Sequence, residues 1–276
     1  MVVVVVGVVV GSWLVVLVVV VAGWEVGWVA VVDGVLVLVA VVVMVVAIVV
    51  VQAMAVAMAD HARVAMVAGA TGLVGQEILA ALLADKTYSA VHCVGRRPPA
   101  QTHSKLHFHA VDFATLPADL PRVDDCFIAL GTTIKVAGSQ EAFRAVDLKA
   151  VEALALAVKR GGATNLGVVS AMGANSQSSV FYNRIKGEME VSVARMGFKS
   201  LVIARPSLID GDRAALQQPG RTGEGLGLVL ARTLGALIPA NYRAIQAGDI
   251  AHALLRQVKT GTPGVVTLMS SEMQGG

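Results

Sequence analysis

Apolar residues are distributed along this chain in two unlike ways, and the change falls near Met58. Upstream they run on almost without a break. Residues 1–58 are dominated by Val, with Ala, Gly and Met between, and Glu25 and Asp33 are the only charged side chains before Asp60. Downstream, short apolar runs alternate with segments whose apolar residues recur every three or four positions. The first pattern reads as buried strands and the second as amphipathic helices. The predicted strands are Val64–Ala68, Ala90–Val94, Lys105–Val111, Cys126–Leu130, Leu166–Val169, Leu201–Ala204 and Gly264–Met269. Helices are expected through Ile78, Leu79, Leu82 and Leu83, from Ser139 to Gly161-Gly162, around Tyr182, and over Leu228–Leu237 and Ala247–Val258. This alternation predicts a doubly wound parallel α/β sheet over residues 59–276, with ligands at the carboxyl ends of its strands.

The first strand runs into Gly69-Ala70-Thr71-Gly72-Leu73-Val74-Gly75 and then into a helix. Strand, glycine-rich turn and helix in that order are the context of a dinucleotide site. Gly69 permits the tight turn, Gly72 lets the backbone approach a pyrophosphate, and Gly75 lets helix and strand pack closely. The helix N-terminus offers unbonded N–H groups to the phosphates. After the second strand, at about the distance where an acidic residue would bind the ribose hydroxyls of NAD, stand Arg96 and Arg97. Guanidinium groups there suit a 2′-phosphate, so NADP(H) is the expected cofactor.

Asp112, after the third strand, is placed to meet the adenine edge. Leu130-Gly131-Thr132 follows the fourth strand, where small and hydroxyl residues let a cofactor lie across the strand end. Asp147 falls within the next helix, as a brace for the active site. Ser170 ends the fifth strand; Tyr182 comes twelve residues later and Lys186 four after that. Positions i and i+4 share a helix face, so Tyr and Lys act together. An isolated Tyr titrates near pH ~10, and a neighbouring ammonium favours its phenolate. Such a phenol gives a proton to a carbonyl oxygen, or takes one in reverse.

Gly69–Gly75, Leu130-Gly131-Thr132-Thr133, Val169-Ser170, Tyr182/Lys186 and Arg205-Pro206-Ser207-Leu208 together resemble the atypical short-chain dehydrogenase/reductases. The nearest likeness is the branch of the Tat-interacting oxidoreductase-like tumour suppressor and its bacterial relatives, described as NAD(P)-binding or epimerase-like. The resemblance runs from Val64 to about Ile245. It implies a Rossmann domain and NADP(H) held by Gly69, Thr71, Gly72, Gly75 and Arg96. It also implies catalysis by Tyr182 and Lys186 and a place for Pro206 beside the nicotinamide. The family often carries two serines after the fifth strand; here the second is Ala171, which leaves Ser170 to position the substrate alone. The implied reaction is hydride transfer to or from a small carbonyl or alcohol. An epimerase-like use of that chemistry on a nucleotide sugar is a close variant, and an NADPH-binding sensor or scaffold without turnover is the rival.

Composition changes this picture only at the N-terminus. The chain is 56% hydrophobic and 15% charged, against about 25% charged in ordinary globular proteins, and the apolar excess lies in the Val-rich extension. Val2–Ala22 and Val35–Val51 are uncharged and approach spanning length, which allows a helical membrane hairpin turning near Glu25. Extending the second stretch across Asp33 costs about 2.5–3.5 kcal/mol near the bilayer centre. The alternative is translation starting at Met54 or Met58. The domain that follows is expected in the cytoplasm, tethered to the inner membrane if the hairpin is real. A net charge of +3 with 4% aromatics argues against nucleic acid as a partner. Cys93 and Cys126 read as reduced core thiols. His103, His107 and His109 lack a carboxylate or Cys at ligand spacing, so no metal is expected.

Overall fold

A computed structural model describes residues 2–10, 13–21, 47–48, 62–210 and 239–274. The predicted loop from Gly211 to Gly227 and the predicted helix Leu228–Leu237 lie outside the described residues, as does most of Val35–Val51. The chain divides into two compact units, Met1–His61 and Ala62–Gly276.

In the first unit, β1 (Val2–Val10) pairs antiparallel with β2 (Trp13–Val21). These strands stand where a helical hairpin is one of the two expectations. Valine carries two heavy atoms on Cβ, which restricts its rotamers in a helix and suits a pleated strand. Among the described residues no helix is long and apolar enough to cross a membrane.

The second unit is built on seven parallel strands: β3 (Arg63–Ala68), β4 (Tyr88–Gly95), β5 (Leu106–Ala110), β6 (Asp125–Ile128), β7 (Asn165–Val169), β8 (Ser200–Arg205) and β11 (Gly264–Met269). They lie in the order β11-β8-β7-β6-β3-β4-β5, so the sheet reverses direction between β3 and β6. Such a reversal opens a crevice at the carboxyl edge. Two two-residue strands, β9 (Ile209–Asp210) and β10 (Ile245–Gln246), pair parallel beyond that edge.

Because side chains alternate along a strand, Ala65 and Val67 face one side of the sheet while Met66 and Ala68 face the other. The first side is covered by α1 (Leu73–Ala84) and α6 (Ala247–Thr260). In α1, Val74, Ile78, Leu79, Leu82 and Leu83 are buried at helical spacing, and full burial of each such aliphatic side chain stabilises by about 1.5–3 kcal/mol. The other side is covered by α4 (Val151–Arg160) and α5 (Phe181–Ala194).

Two details between β6 and α4 escape sequence pattern. A short helix, α2 (Ile134–Ala137), opens on Thr133, whose hydroxyl accepts from the Val136 amide. The helix then capped by Ser139 is not uniform: α3 (Gln140–Arg144) passes through a π-turn, Ala145–Ala150, before α4. At the amino edge of the sheet, buried Asp125 accepts hydrogen bonds from Tyr88 (2.5 Å), Asn165 (2.8 Å) and Arg63. Burial pushes the Asp125 carboxyl up, against the pull of these donors. This knot ties β3, β4, β6 and β7 together and leaves the opposite edge for a ligand.

Candidate active site

The first loop is shaped by a close approach of backbone to backbone. A β-carbon on Gly75 would lie 2.0 Å from the Gly69 carbonyl oxygen, so only glycine fits there. Gly69 itself has φ 88°, and its carbonyl accepts from the Gly72 amide at 2.9 Å. Leu73 and Val74 begin α1 directly above this turn.

A cavity of about 320 Å³ opens beside the loop. Gly69, Ala70 and Thr71 form one wall, Gly95, Arg96, Arg97 and Pro99 the rim, and Asp112, Phe113 and Leu130 the far side. Arg96 and Arg97 are exposed. The Asp112 carboxylate accepts from the Ala114 amide at 3.0 Å, which turns the chain after β5 back towards the cavity. The π-turn contributes Ala145, Val146, Lys149 and Ala150 to the lining, and Lys149 pairs with Glu152 at 2.8 Å. The helical pattern expected from Ser139 did not mark these residues as cavity lining. Cys93 lines the cavity floor, and burial pushes its thiol up to about 12, which keeps it protonated. Gly72, Leu73, Val74, Gly75, Gly131, Thr132, Pro206, Ser170, Tyr182 and Lys186 lie outside this lining.

Beyond Leu130 the site is assembled by side chains that cross between helices. Asp147, fully buried in the π-turn, pairs with Lys186 of α5 at 2.7 Å; Lys186 is only 5% exposed. The second Asp147 oxygen accepts from the Thr132 amide at 2.9 Å. A β-carbon on Gly131 would lie 3.5 Å from Asp147 and 3.7 Å from the Lys186 Nζ, so ammonium and carboxylate sit against the turn that follows β6. Tyr182, half-buried, packs on Phe143 of α3 with ring centroids 5.6 Å apart. Arg144 and Glu188 join the same two helices at 2.7 Å.

Ser170 departs from expectation. Its hydroxyl is buried and donates to Glu190 of α5, which also takes both arms of Arg205 at 2.5 and 3.0 Å. Two donors and a buried carboxylate form a structural knot that engages the Ser170 proton. The Glu190 carboxylate also pushes the Arg205 guanidinium, already a strong base, further up. Ala171 is buried and brings no hydroxyl. The Pro206 carbonyl accepts from the Met172 amide at 2.9 Å, which fixes Pro206 against the loop after β7.

That loop is held down on α5. A β-carbon on Gly187 would lie 2.1 Å from the Ser176 nitrogen and 2.2 Å from the Asn175 carbonyl carbon. The Asn175 amide donates to the Asn183 carbonyl at 3.0 Å. Neither contact has a sequence signature beyond a glycine after Lys186.

His107 and His109 do share a strand face, joined by His92, which sequence reading passed over. The His92 ring stacks on His107 at 5.2 Å, and its Nδ1 lies 2.8 Å from the His109 Nε2. Burial and the two neighbouring imidazoles lower the His92 pKa to about 4. The described residues contain no group of three or more His, Cys, Asp or Glu arranged to hold a metal ion.

No family model matches the chain. Individual proteins do. Protein FMP52-1, mitochondrial, of Scheffersomyces stipitis is 34% identical over 154 residues, 54% of this chain and 68% of that protein. Protein fmp52, mitochondrial, of Emericella nidulans is 32% identical over 183 residues, 63% and 76% of the two chains. Protein HTATIP2 of Rattus norvegicus is 29% identical over 212 residues, 75% and 85%. Among solved structures, MoeE5 in complex with UDP-glucose and NAD superposes with a TM-score of 0.57 at 16% identity, covering 74% of each chain. The UDP-N-acetylglucosamine 4-epimerase of Methanobrevibacter ruminantium gives 0.57 at 15%, covering 75% and 76%. At those identities the structures share the fold, and the sequence relatives supply the kinship. The chain belongs to the family of the FMP52 and HTATIP2 proteins, atypical short-chain dehydrogenase/reductases built on a Rossmann fold.

Proposed function

We propose that this chain is an NADP(H)-dependent oxidoreductase that interconverts a small carbonyl and its alcohol. The observation that carries this reading is a juxtaposition. The cavity between Gly69–Thr71 and Arg96-Arg97 has Leu130 in its lining, and the next residue, Gly131, lies against Lys186 and Asp147. The residues present fit a dinucleotide: the glycine crowding leaves backbone bare where a pyrophosphate must approach, and two exposed guanidiniums stand at the rim. Gly69, Thr71, Gly72, Leu73, Val74 and Gly75 would hold the pyrophosphate, and Arg96 and Arg97 a 2′-phosphate. Asp112 and Leu130 would flank the adenosine; Gly131, Thr132, Lys186 and Pro206 would flank the nicotinamide end.

When bound, the dinucleotide supplies hydride to a carbonyl carbon or accepts it from an alcohol. The Tyr182 phenol gives its proton to the carbonyl oxygen in one direction and recovers it in the other. Lys186, fixed by Asp147, would hold the ribose, and from one helical turn away its ammonium would favour the phenolate of Tyr182. The solved structure of MoeE5 holds NAD, whereas the paired arginines favour the phosphorylated cofactor by charge-assisted, bidentate hydrogen bonding.

Titration calorimetry on the full chain separates the two cofactors. Arg96→Ala is expected to weaken NADPH binding by about 10- to 100-fold, the equivalent of one charged hydrogen-bonded contact, and to leave NADH binding within twofold. Equal NADPH affinity in the variant refutes the NADP assignment. A second reading, a dinucleotide-binding sensor without turnover, is favoured by the commitment of Ser170 to Glu190 and by Ala171. It prevails if the protein binds NADPH and reduces no member of a broad aldehyde and ketone panel.

A further inference from the structure

The loop after β7 leaves a carbonyl substrate short of one hydrogen-bond donor. Charge that builds on a carbonyl oxygen is best met by more than one fixed donor, and Tyr182 supplies one. The strand end supplies no uncommitted side-chain donor, since the Ser170 hydroxyl donates to buried Glu190 and Ala171 has only a methyl.

The residue next to Tyr182 is Asn183. Its side chain is half-buried, with the Nδ2 atom 3.2 Å from where a β-carbon on Gly173 would sit, two residues along the loop from Ala171. Among the described residues its carboxamide makes no hydrogen bond, although its own backbone carbonyl holds the loop through the Asn175 amide. A mere brace would bond the loop it touches. Successive helix residues are about 100° apart, so Lys186 lies on the α5 surface between Tyr182 and Asn183, and the three side chains occupy one arc. The clamp of residues 175–176 on Gly187 fixes the far side of that arc.

We propose that Asn183 is a substrate-binding residue, its amide Nδ2 donating to the substrate carbonyl oxygen beside the Tyr182 hydroxyl, in place of the hydroxyl that the strand end lacks. This rests on the carbonyl-reductase reading above. The amide also explains how a site with Ala171 retains a two-donor oxygen pocket.

The test uses 4-(dimethylamino)cinnamaldehyde, whose absorption moves to the red when its carbonyl oxygen accepts hydrogen bonds. It is titrated into the full chain saturated with NADP⁺, which permits no reduction. Wild type is expected to give a red shift. Asn183→Leu, similar in volume and without a donor, is expected to lose most of the shift and to bind the aldehyde about 10-fold less tightly, as for one neutral hydrogen bond. Asn183→Asp, of the same shape but acceptor only, is expected to do likewise. NADPH affinity, measured in parallel, is expected to stay within twofold in both. Equal shifts in wild type and Asn183→Leu overturn the proposal, and so does a joint loss of aldehyde shift and cofactor affinity, which marks a structural role. A wild-type protein that binds NADPH but neither shifts nor reduces the aldehyde overturns the reductase reading and takes this proposal with it.

Discussion

The two loops that frame the cleft, Gly69–Gly75 and Ser170–Val180, solve one steric problem at different ranges. Each brings backbone against a helix so closely that a single methyl would collide: 2.0 Å at Gly75 and 2.1 Å at Gly187. In the first loop the colliding partners are six residues apart, so loop and helix form one local motif with a spacing of its own. In the second, Gly187 meets residues eleven and twelve positions upstream, across the first turns of α5. The same physics is thus written once as a pattern and once as a lone glycine. The difference extends to charge. The proposed cofactor end presents backbone and exposed arginines, while the proposed catalytic end depends on a buried ion pair, Asp147–Lys186, drawn from two helices.

Removing that pair tests the contrast most severely. Asp147→Ala is expected to cost about 3–5 kcal/mol, because it strands a buried ammonium, and urea unfolding monitored by circular dichroism measures it. A loss below about 1 kcal/mol would mean that the crossing between the π-turn and α5 does not build the catalytic end. Gly187→Ala comes next, with an expected cost of about 3 kcal/mol from overpacking against fixed backbone. The same denaturant curves report it, and a neutral result breaks the equivalence of the two loops.

The last effect concerns the imidazole cluster on β4 and β5. His92 binds a proton in the unfolded chain near pH ~6.5 but in the folded chain only near pH 4. The unfolded state therefore holds more protons between those values, so stability is complete above about pH 6.5 and declines as pH falls towards 4. Thermal melts across that window are expected to show the decline, and His92→Gln to flatten it. A slope unchanged in the variant would place the titrating group elsewhere.

The legibility of the chain follows the range of its contacts. Within residues 62–210 and 239–274, strand and helix positions, the Gly69–Gly75 turn and the Ser139 cap depend on neighbours in sequence, and the structure places them where the spacing predicts. The partner that claims the Ser170 hydroxyl could not be read from the sequence, because Glu190 is twenty residues away on another element. Lys149 and His92 were invisible for a similar reason. One reaches the cavity only through a local change of helix winding, and the other becomes part of a cluster only when β4 and β5 align. Length and hydropathy, from which the helical alternative for the Val-rich extension was drawn, do not register the preference of β-branched residues for pleated backbone.

The π-turn has a consequence for how this chain tolerates change. A wide turn holds one residue beyond what an α-turn needs, and such turns recur at functional positions. Phe143 before it and Leu154 after it both point into the sheet's core, so the surplus residue is absorbed between two segments that are each in phase with their packing. Deleting one residue from 145–150 would let an uninterrupted helix form with both flanks still seated, while swinging Asp147 off Lys186. The hydrophobic interior and the chemistry are therefore separable by a single codon, which gives selection a place to silence or restore the cleft without rebuilding the domain.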